Sequence, residues 1–358
     1  MKAKEIIFLH EYLEVREADI EKGLYPDNHY WGKAGMLSAG WNVNHLKTCD
    51  SKWLTRFGRW LTKLARNRFG DFHAELKLLC NTRKADIIYS FGIHLFLVTL
   101  LRKLRFIRSK VVIWVFREPA PTPWWQFRHL DISRLNLTGC DGILCLTKKA
   151  EATFKVKSPR SSVKHIPWGV DTKLFFPNNK SGGKYFLAVG KTGRDYKTFL
   201  EACFQTNASF RIIAPDWSIK NIRIPPNVAY LKTDSNVPDG AISYPDLRKW
   251  YDGCIATCIP LHGDSEDTCG YTNLIEAMAM GKPVLMTRSG ALDIDIELQG
   301  IGLWINPKDS NDWRDRMNYL AENPKVAEEM GQRGHALTSS IYNSTRFEKE
   351  VTKFLKLI

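Results

Sequence analysis

A chain of 358 residues, 44% of them hydrophobic, is long enough for two domains and apolar enough to give each a core, which excludes a disordered polymer. The longest mostly apolar run, Ile87 to Leu101, spans 15 residues, short of the roughly 20 a membrane helix needs. The formal charge of +14 is lopsided: residues 1–170 hold 29 Lys+Arg against 15 Asp+Glu, whereas residues 171–358 hold 23 of each, so the N-terminal half is expected to face a polyanion, an anionic membrane or an acidic substrate.

In chain order, short apolar runs read as buried strands at Glu5–Leu9, Asp86–Ser90, Lys110–Phe116 and Gly142–Leu146. Tyr185–Val189, Phe210–Ala214, Val228–Leu231, Gly253–Ile259, Pro283–Thr287 and Gly302–Ile305 follow in the second half. Helical patterns fall between them, as at Lys197–Phe204 and Asn273–Met280, and a last helix over Thr345–Leu357 has Ser344 as its expected N-cap. This alternation predicts two doubly wound parallel α/β domains facing a central cleft, with ligands beyond the carboxyl ends of the strands. The Pro-, Asn-, Ser- and Gly-bearing stretch Phe176–Lys184 marks a junction. Domains are expected at 1–172, joined by a C-terminal helix at about 344–358, and at 173–343. No secretory signal opens the sequence and the eight cysteines form no CxxC pair, so a cytoplasmic protein is expected. Cys254 and Cys258, spaced to share a helix face, read as buried apolar thiols.

One segment of the basic half stands out. Ser51–Gly70 carries six cations and no acid. On a helix, Trp53, Phe57, Trp60, Leu61 and Leu64 fall within roughly a third of the circumference. Lys52, Arg56, Arg59, Lys63 and Arg66 fall within about 80° elsewhere on it. An apolar tryptophan face flanked by cations suits an anionic membrane surface, and Lys52, Trp53, Arg56, Phe57, Arg59, Trp60 and Lys63 are the residues expected to meet it. Arg102, Lys103, Arg105, Arg108 and Lys110 form a second basic cluster. A nucleic-acid-binding module is the competing reading, but no standard motif for one is present, and no nucleic acid is expected.

Chemistry concentrates in the second half. In Asp264–Gly290 an acidic loop ends at Gly270, and Tyr271 and Thr272 lead into a helix that begins with Asn273 and Leu274. Unpaired amides and the helix dipole there suit a diphosphate. Glu276, in the first turns, can accept hydrogen bonds from a ribose diol, or it can merely charge the helix terminus. Upstream, a strand runs into a turn, Val189-Gly190-Lys191-Thr192-Gly193-Arg194-Asp195-Tyr196-Lys197. Its glycines allow close backbone approach, and Lys191, Arg194 and Lys197 offer charge-assisted bonds to phosphate. Asp293-Ile294-Asp295 has the look of a metal-binding DxD written by chance, and no metal is expected.

The ordered set of motifs resembles the retaining GT-B glycosyltransferases of the group 1 superfamily. It comprises Cys145-Leu146-Thr147 with Ala150-Glu151, Ile166 through Phe175, Val189-Gly190-Lys191 with Lys197, Asn273-Leu274-Ile275-Glu276, Gly281 through Leu285, and Gly302 through Asp309. The likeness covers about residues 140–340 and is only architectural before that. It implies a nucleotide-sugar donor, a saccharide acceptor, and no metal or other cofactor; a lipid-linked acceptor is what the basic face would suit. It implies that Glu276 binds ribose, that the amides of Asn273 and Leu274 meet the diphosphate, and that Lys191 and Lys197 neutralise it as it leaves. The family's first glutamate is missing from its usual spacing, where Thr268 stands, so Glu266 or Asp267 takes its place toward the donor sugar. Glu118 stands near the position of a family histidine and is the candidate to assist the acceptor, with His29 and His94 as candidates to line the cleft. Taken with the basic face, the expected activity is retaining sugar transfer to a lipid-linked or other cell-envelope acceptor at the inner membrane face; the alternative is a basic nucleic-acid- or membrane-binding protein with a catalytically silent GT-B fold.

Overall fold

The computed structural model describes residues 3–9, 13–45, 52–64, 72–79, 85–91, 95–116, 137–178, 183–233, 242–263 and 268–358. The chain forms two compact units. One comprises Met1–Glu17, His29–Pro167 and Phe347–Ile358, the other Ala18–Asn28 and Trp168–Arg346. The main division thus falls at Pro167/Trp168, and the last turn of the first helix with the segment that follows it, Ala18–Asn28, groups with the second unit.

The first unit begins with β1 (Glu5–Leu9), α1 (Leu13–Glu21), α2 (Lys33–Ser38), β2 (Asn42–His45), α3 (Lys52–Leu64) and α4 (Phe72–Leu79). It continues through β3 (Ile87–Phe91), α5 (Leu97–Lys103), β4 (Lys110–Val115), β5 (Gly142–Cys145), α6 (Lys148–Lys157) and β6 (Ser162–His165). Its six strands form one parallel sheet in the order β2-β1-β3-β4-β5-β6. The inner strands are continuous apolar runs because helices cover both faces, and Ile88, Val111, Ile113 and Ile143 pack there with Val98 and Phe154. The sequence pattern passes over β2 and β6, since Asn42–His45 and Ser162–His165 are short, polar and half-exposed, as edge strands are. Two contacts fix the helices. Glu75 of α4 is fully buried and accepts from the amides of Phe96 (3.0 Å) and Val98 (2.8 Å), capping the start of α5. Gly58 of α3 lies against α4 so closely that a Cβ there would come within 2.7 Å of His73 Cα.

The second unit holds β7 (Tyr185–Val189), α7 (Tyr196–Cys203), β8 (Phe210–Pro215), α8 (Asp216–Ile219), β9 (Val228–Thr233), α9 (Tyr244–Asp252) and β10 (Cys254–Ile259). Then come α10 (Tyr271–Ala279), β11 (Val284–Thr287), β12 (Gly302–Ile305), α11 (Ser310–Glu322), α12 (Pro324–Ser340) and α13 (Ser344–Leu357). This sheet is also parallel, in the order β12-β11-β10-β7-β8-β9. Chain order reverses between β7 and β10, the switch point where such sheets open a crevice at their carboxyl ends. Phe186, Phe199, Phe210 and Trp313 dominate the core.

Two local expectations are corrected. Cys254 and Cys258 lie on strand β10, not on a helix, both buried and separated by a bulge in the strand; burial pushes the Cys254 thiol up to about 11. The cap of α13 is Asn343, whose Oδ1 accepts from the Arg346 amide at 2.8 Å, while Ser344 is the first helical residue. From Phe347 on this helix belongs to the first unit, where Glu348 accepts from the amides of Gly32 (3.0 Å) and Gly35 (2.7 Å).

Candidate functional site

At the end of β7 the backbone of Gly190 has φ +134°, and a Cβ there would lie 2.4 Å from Arg194 Nη2. That is a position for glycine alone. The turn folds back so that Arg194 grips its start: Nε and Nη2 donate to Val189 O (3.4 and 3.3 Å), and Nη1 donates to Thr192 O at 2.9 Å. Nη2 also donates to Asn273 Oδ1 at 2.5 Å. Tyr196 Oη donates to Gly190 O at 2.6 Å, and the Asp195 amide donates to Pro260 O at 3.1 Å, which ties this turn to the exit of β10. Arg194 is buried and its guanidinium is occupied by protein oxygens. In this structure it organises the turn.

The second wall is the start of α10. Gly270 is its N-cap in the left-handed region, φ +87°, with no side-chain cap. A Cβ on it would meet Ile259 Cγ2 at 2.7 Å. Tyr271 is pinned by its hydroxyl to Trp168 O at 2.7 Å. The amides of Thr272 and Asn273 have no hydrogen-bond acceptor among the described residues, as expected for a first helical turn. The Leu274 amide donates to Gly270 O at 2.9 Å, and its side chain is buried in the core. The Leu274 amide, expected to meet a diphosphate, is thus spent within the helix, and the amides of Thr272 and Asn273 are the ones left without an acceptor among the described residues.

One turn further, Glu276 is 4% exposed. Its Oε2 accepts from Tyr251 Oη at 2.8 Å and from Asn273 Nδ2 at 3.4 Å, while Oε1 has no donor among the described residues. Burial pushes this carboxyl up to about 7 against the pull of the two hydrogen bonds. Arg194, Asn273, Tyr251 and Glu276 form one chain of contacts that links the glycine turn to the helix. Tyr251 does not stand out in the sequence: it lies 25 residues upstream at the end of α9 and carries no local sign of its partner. Lys191 and Lys197 stand exposed in and just after the same turn.

The other expected residues divide plainly. Glu118, His94, Glu266, Asp267 and the side chain of Lys52 lie outside the described residues. His29 belongs to the first unit, edge-on to Trp31, and burial with Arg16 nearby pushes its imidazole down to about 3, so it is neutral at pH 7. Asp295 is occupied within its loop, accepting from Trp304 Nε1 at 3.0 Å and from the amides of Glu297 and Leu298, both at 3.2 Å. Trp53, Arg56, Phe57, Arg59, Trp60 and Lys63 are all exposed on α3 of the first unit.

Residues 239–336 match the family described as Glycosyl transferases group 1. No curated protein matches the sequence. Solved structures share the whole architecture at low identity. A sucrose-phosphate synthase (tll1590) from Thermosynechococcus elongatus superposes with a TM-score of 0.66 at 13% identity, over 99% of this chain and 98% of its own. A glycosyltransferase from Rickettsia africae gives 0.65 at 11%, over 100% and 99%. Anabaena Alr3699/HepE in complex with UDP and glucose gives 0.64 at 12%, over 100% of both chains. The fold is that of the GT-B glycosyltransferases. The group 1 match runs from α9 through β10, α10, β11, β12 and α11 into α12, all within the second unit, while over the whole chain the likeness to solved structures is one of fold.

Proposed function

We propose that this enzyme moves a glycosyl group from a nucleoside-diphosphate sugar to a saccharide or lipid-linked acceptor of the cell envelope, at the cytoplasmic face of the membrane. Transfer proceeds with retention at the anomeric carbon and without a metal. The observation that carries the donor half is Glu276. A buried carboxylate with one oxygen that has no donor among the described residues follows, by about one helical turn or roughly 5 Å, two amides that have no acceptor among them on the same helix. That order matches a ribose diol followed by its diphosphate. Glu276 accepts from the ribose, and the amides of Thr272 and Asn273 donate to the phosphates with the helix dipole behind them. Lys191 and Lys197 supply the positive charge that a departing diphosphate needs, the role a divalent ion plays elsewhere. Glu266 or Asp267 is assigned to the donor sugar and Glu118 to the acceptor by the family resemblance. Because HepE was solved with UDP and glucose, UDP-glucose is the first donor to test.

The test is a thermal-shift panel of UDP-, GDP- and other nucleotide sugars, followed by transfer assays in chelator with the product anomer read by NMR. A donor at 100 times its dissociation constant stabilises by about 2.7 kcal/mol, a clear shift. A protein that no nucleotide sugar stabilises does not have this donor site.

A further inference from the structure

We propose that the outward face of α3 is a docking surface for an anionic phospholipid bilayer. This names the partner behind the membrane-face reading above, and it fails separately from the donor site, which lies in the other unit.

Aromatic residues on an amphipathic helix normally turn inward. On α3 they do not. Trp53 is 68% exposed, Phe57 37% and Trp60 56%. Their rings stack along the surface, Trp53 on Phe57 with centroids 5.2 Å apart and Phe57 on Trp60 at 5.9 Å. The helix is held from its other side, where Gly58 is buried against His73 of α4 and Thr62 turns its hydroxyl back onto Gly58 O of the same helix at 2.9 Å. At about 100° per residue, the three rings span about 60° and Arg56, Arg59 and Lys63 the adjoining 60°, with Gly58 and Thr62 opposite. A rigid apolar stripe edged by one row of exposed cations is therefore presented outward.

A second feature of the same unit repeats the chemistry. Past the end of α5, Leu104-Arg105-Phe106 forms a turn with Arg105 at φ +64°, and Phe106 is 77% exposed beside Lys103, Arg105 and Arg108. Both α3 and α5 pack on α4. Rings of this kind lie at the level of lipid headgroups, while Arg and Lys reach lipid phosphates. A nucleic-acid groove has no use for an apolar stripe in front of its cations. A dry protein interface would leave six cations without a single acid in Ser51–Gly70.

Flotation of the full-length protein with phosphatidylcholine vesicles, with and without phosphatidylglycerol, tests this. The wild type floats with anionic vesicles at low salt, less at high salt, and poorly with neutral ones. Arg56→Glu, Arg59→Glu and Lys63→Glu together lower the bound fraction at least about tenfold. Trp53→Ser, Phe57→Ser and Trp60→Ser together remove the salt-resistant part. Circular dichroism melting and the donor-induced thermal shift stay as in the wild type, showing both units folded. Absence of wild-type flotation, equal flotation on neutral vesicles, or insensitivity to the charge reversal overturns the proposal. So does an oligonucleotide that strips the protein from vesicles, which assigns the face to nucleic acid. A dimer abolished by the triple serine variant assigns the face to a second copy and overturns the proposal as well.

Discussion

Tyr251 Oη donates to Glu276 Oε2 across 2.8 Å, and Asn273 Nδ2 is the other donor to that oxygen among the described residues. The bond holds the carboxylate in place and favours its ionised form, while burial favours the neutral one and leaves it at about 7. Donor affinity therefore depends on pH near neutrality. If the ionised carboxylate is the ribose acceptor, affinity for UDP-glucose falls about tenfold from pH 8 to pH 6 as Glu276 takes up its proton. UDP-glucose is the ligand to use, because the terminal phosphate of UDP itself titrates near pH 6. Tyr251→Phe moves the midpoint upward and weakens binding at pH 7.5 by up to about tenfold. Isothermal titration across this range checks it, and an unshifted midpoint in the variant removes Tyr251 from the site.

The same group makes a stability prediction of opposite sign. A carboxyl raised from 4.5 to about 7 favours the folded state only while neutral. Its contribution is complete below about pH 4.5 and is lost as pH rises through about 7, a difference on the order of 3 kcal/mol. Glu276→Gln is neutral throughout and keeps a hydrogen-bond acceptor for Tyr251. It should melt several degrees higher than wild type at pH 8 and level with it near pH 4, while binding UDP-glucose more weakly. Identical melting points at pH 8 would show that Glu276 is hydrated, not buried.

The legibility of this site follows from the range of each signal. Glu276 and the start of α10 are readable because helix periodicity, a glycine and a carboxylate fall within a dozen residues. The part Arg194 plays in the turn is not legible because sequence gives a charge but not the oxygen it meets; Val189 O and Thr192 O engage it through the fold of the turn. Tyr251 is invisible because its phenol looks like core until the sheet brings α9 beside α10. The strands of both sheets are readable as apolar runs, except β2 and β6, whose edge positions need no such run. The outward direction of the α3 aromatics follows only from Gly58, the one residue small enough to let α4 approach the opposite side.

Gly270 offers a test of how finely the helix start is placed. Gly270→Ala forces an alanine into φ +87° and brings its Cβ to 2.7 Å from Ile259 Cγ2 and 3.1 Å from Met286 Cε. The strain costs about 1–3 kcal/mol, and relief displaces the amides of Thr272 and Asn273. Gly281→Ala is the control: φ is +62°, but no atom lies nearer than 3.7 Å. Both variants lose melting temperature, and only Gly270→Ala loses affinity for UDP-glucose as well. Equal affinity in the two separates the diphosphate from this helix end.

Arg194 and Lys197 sit three residues apart and are both cations, yet they should fail in different ways. Arg194 is buried and bonded to Val189 O, Thr192 O and Asn273 Oδ1. Arg194→Ala leaves those acceptors without a donor, which costs about 2–3 kcal/mol of stability. It also frees Asn273 from its orienting contact, so affinity for UDP-glucose falls with the melting temperature. Lys197 is exposed and bears no such structure. Lys197→Ala should leave the stability within about 0.5 kcal/mol of wild type, with UDP-glucose affinity little changed. Its loss appears in turnover, because negative charge on the departing diphosphate grows between ground state and transition state. Melting curves, titration and turnover numbers on the two variants distinguish the roles. A Lys197→Ala enzyme with full turnover, or an Arg194→Ala protein as stable as wild type, would reverse the assignment of organiser and charge donor.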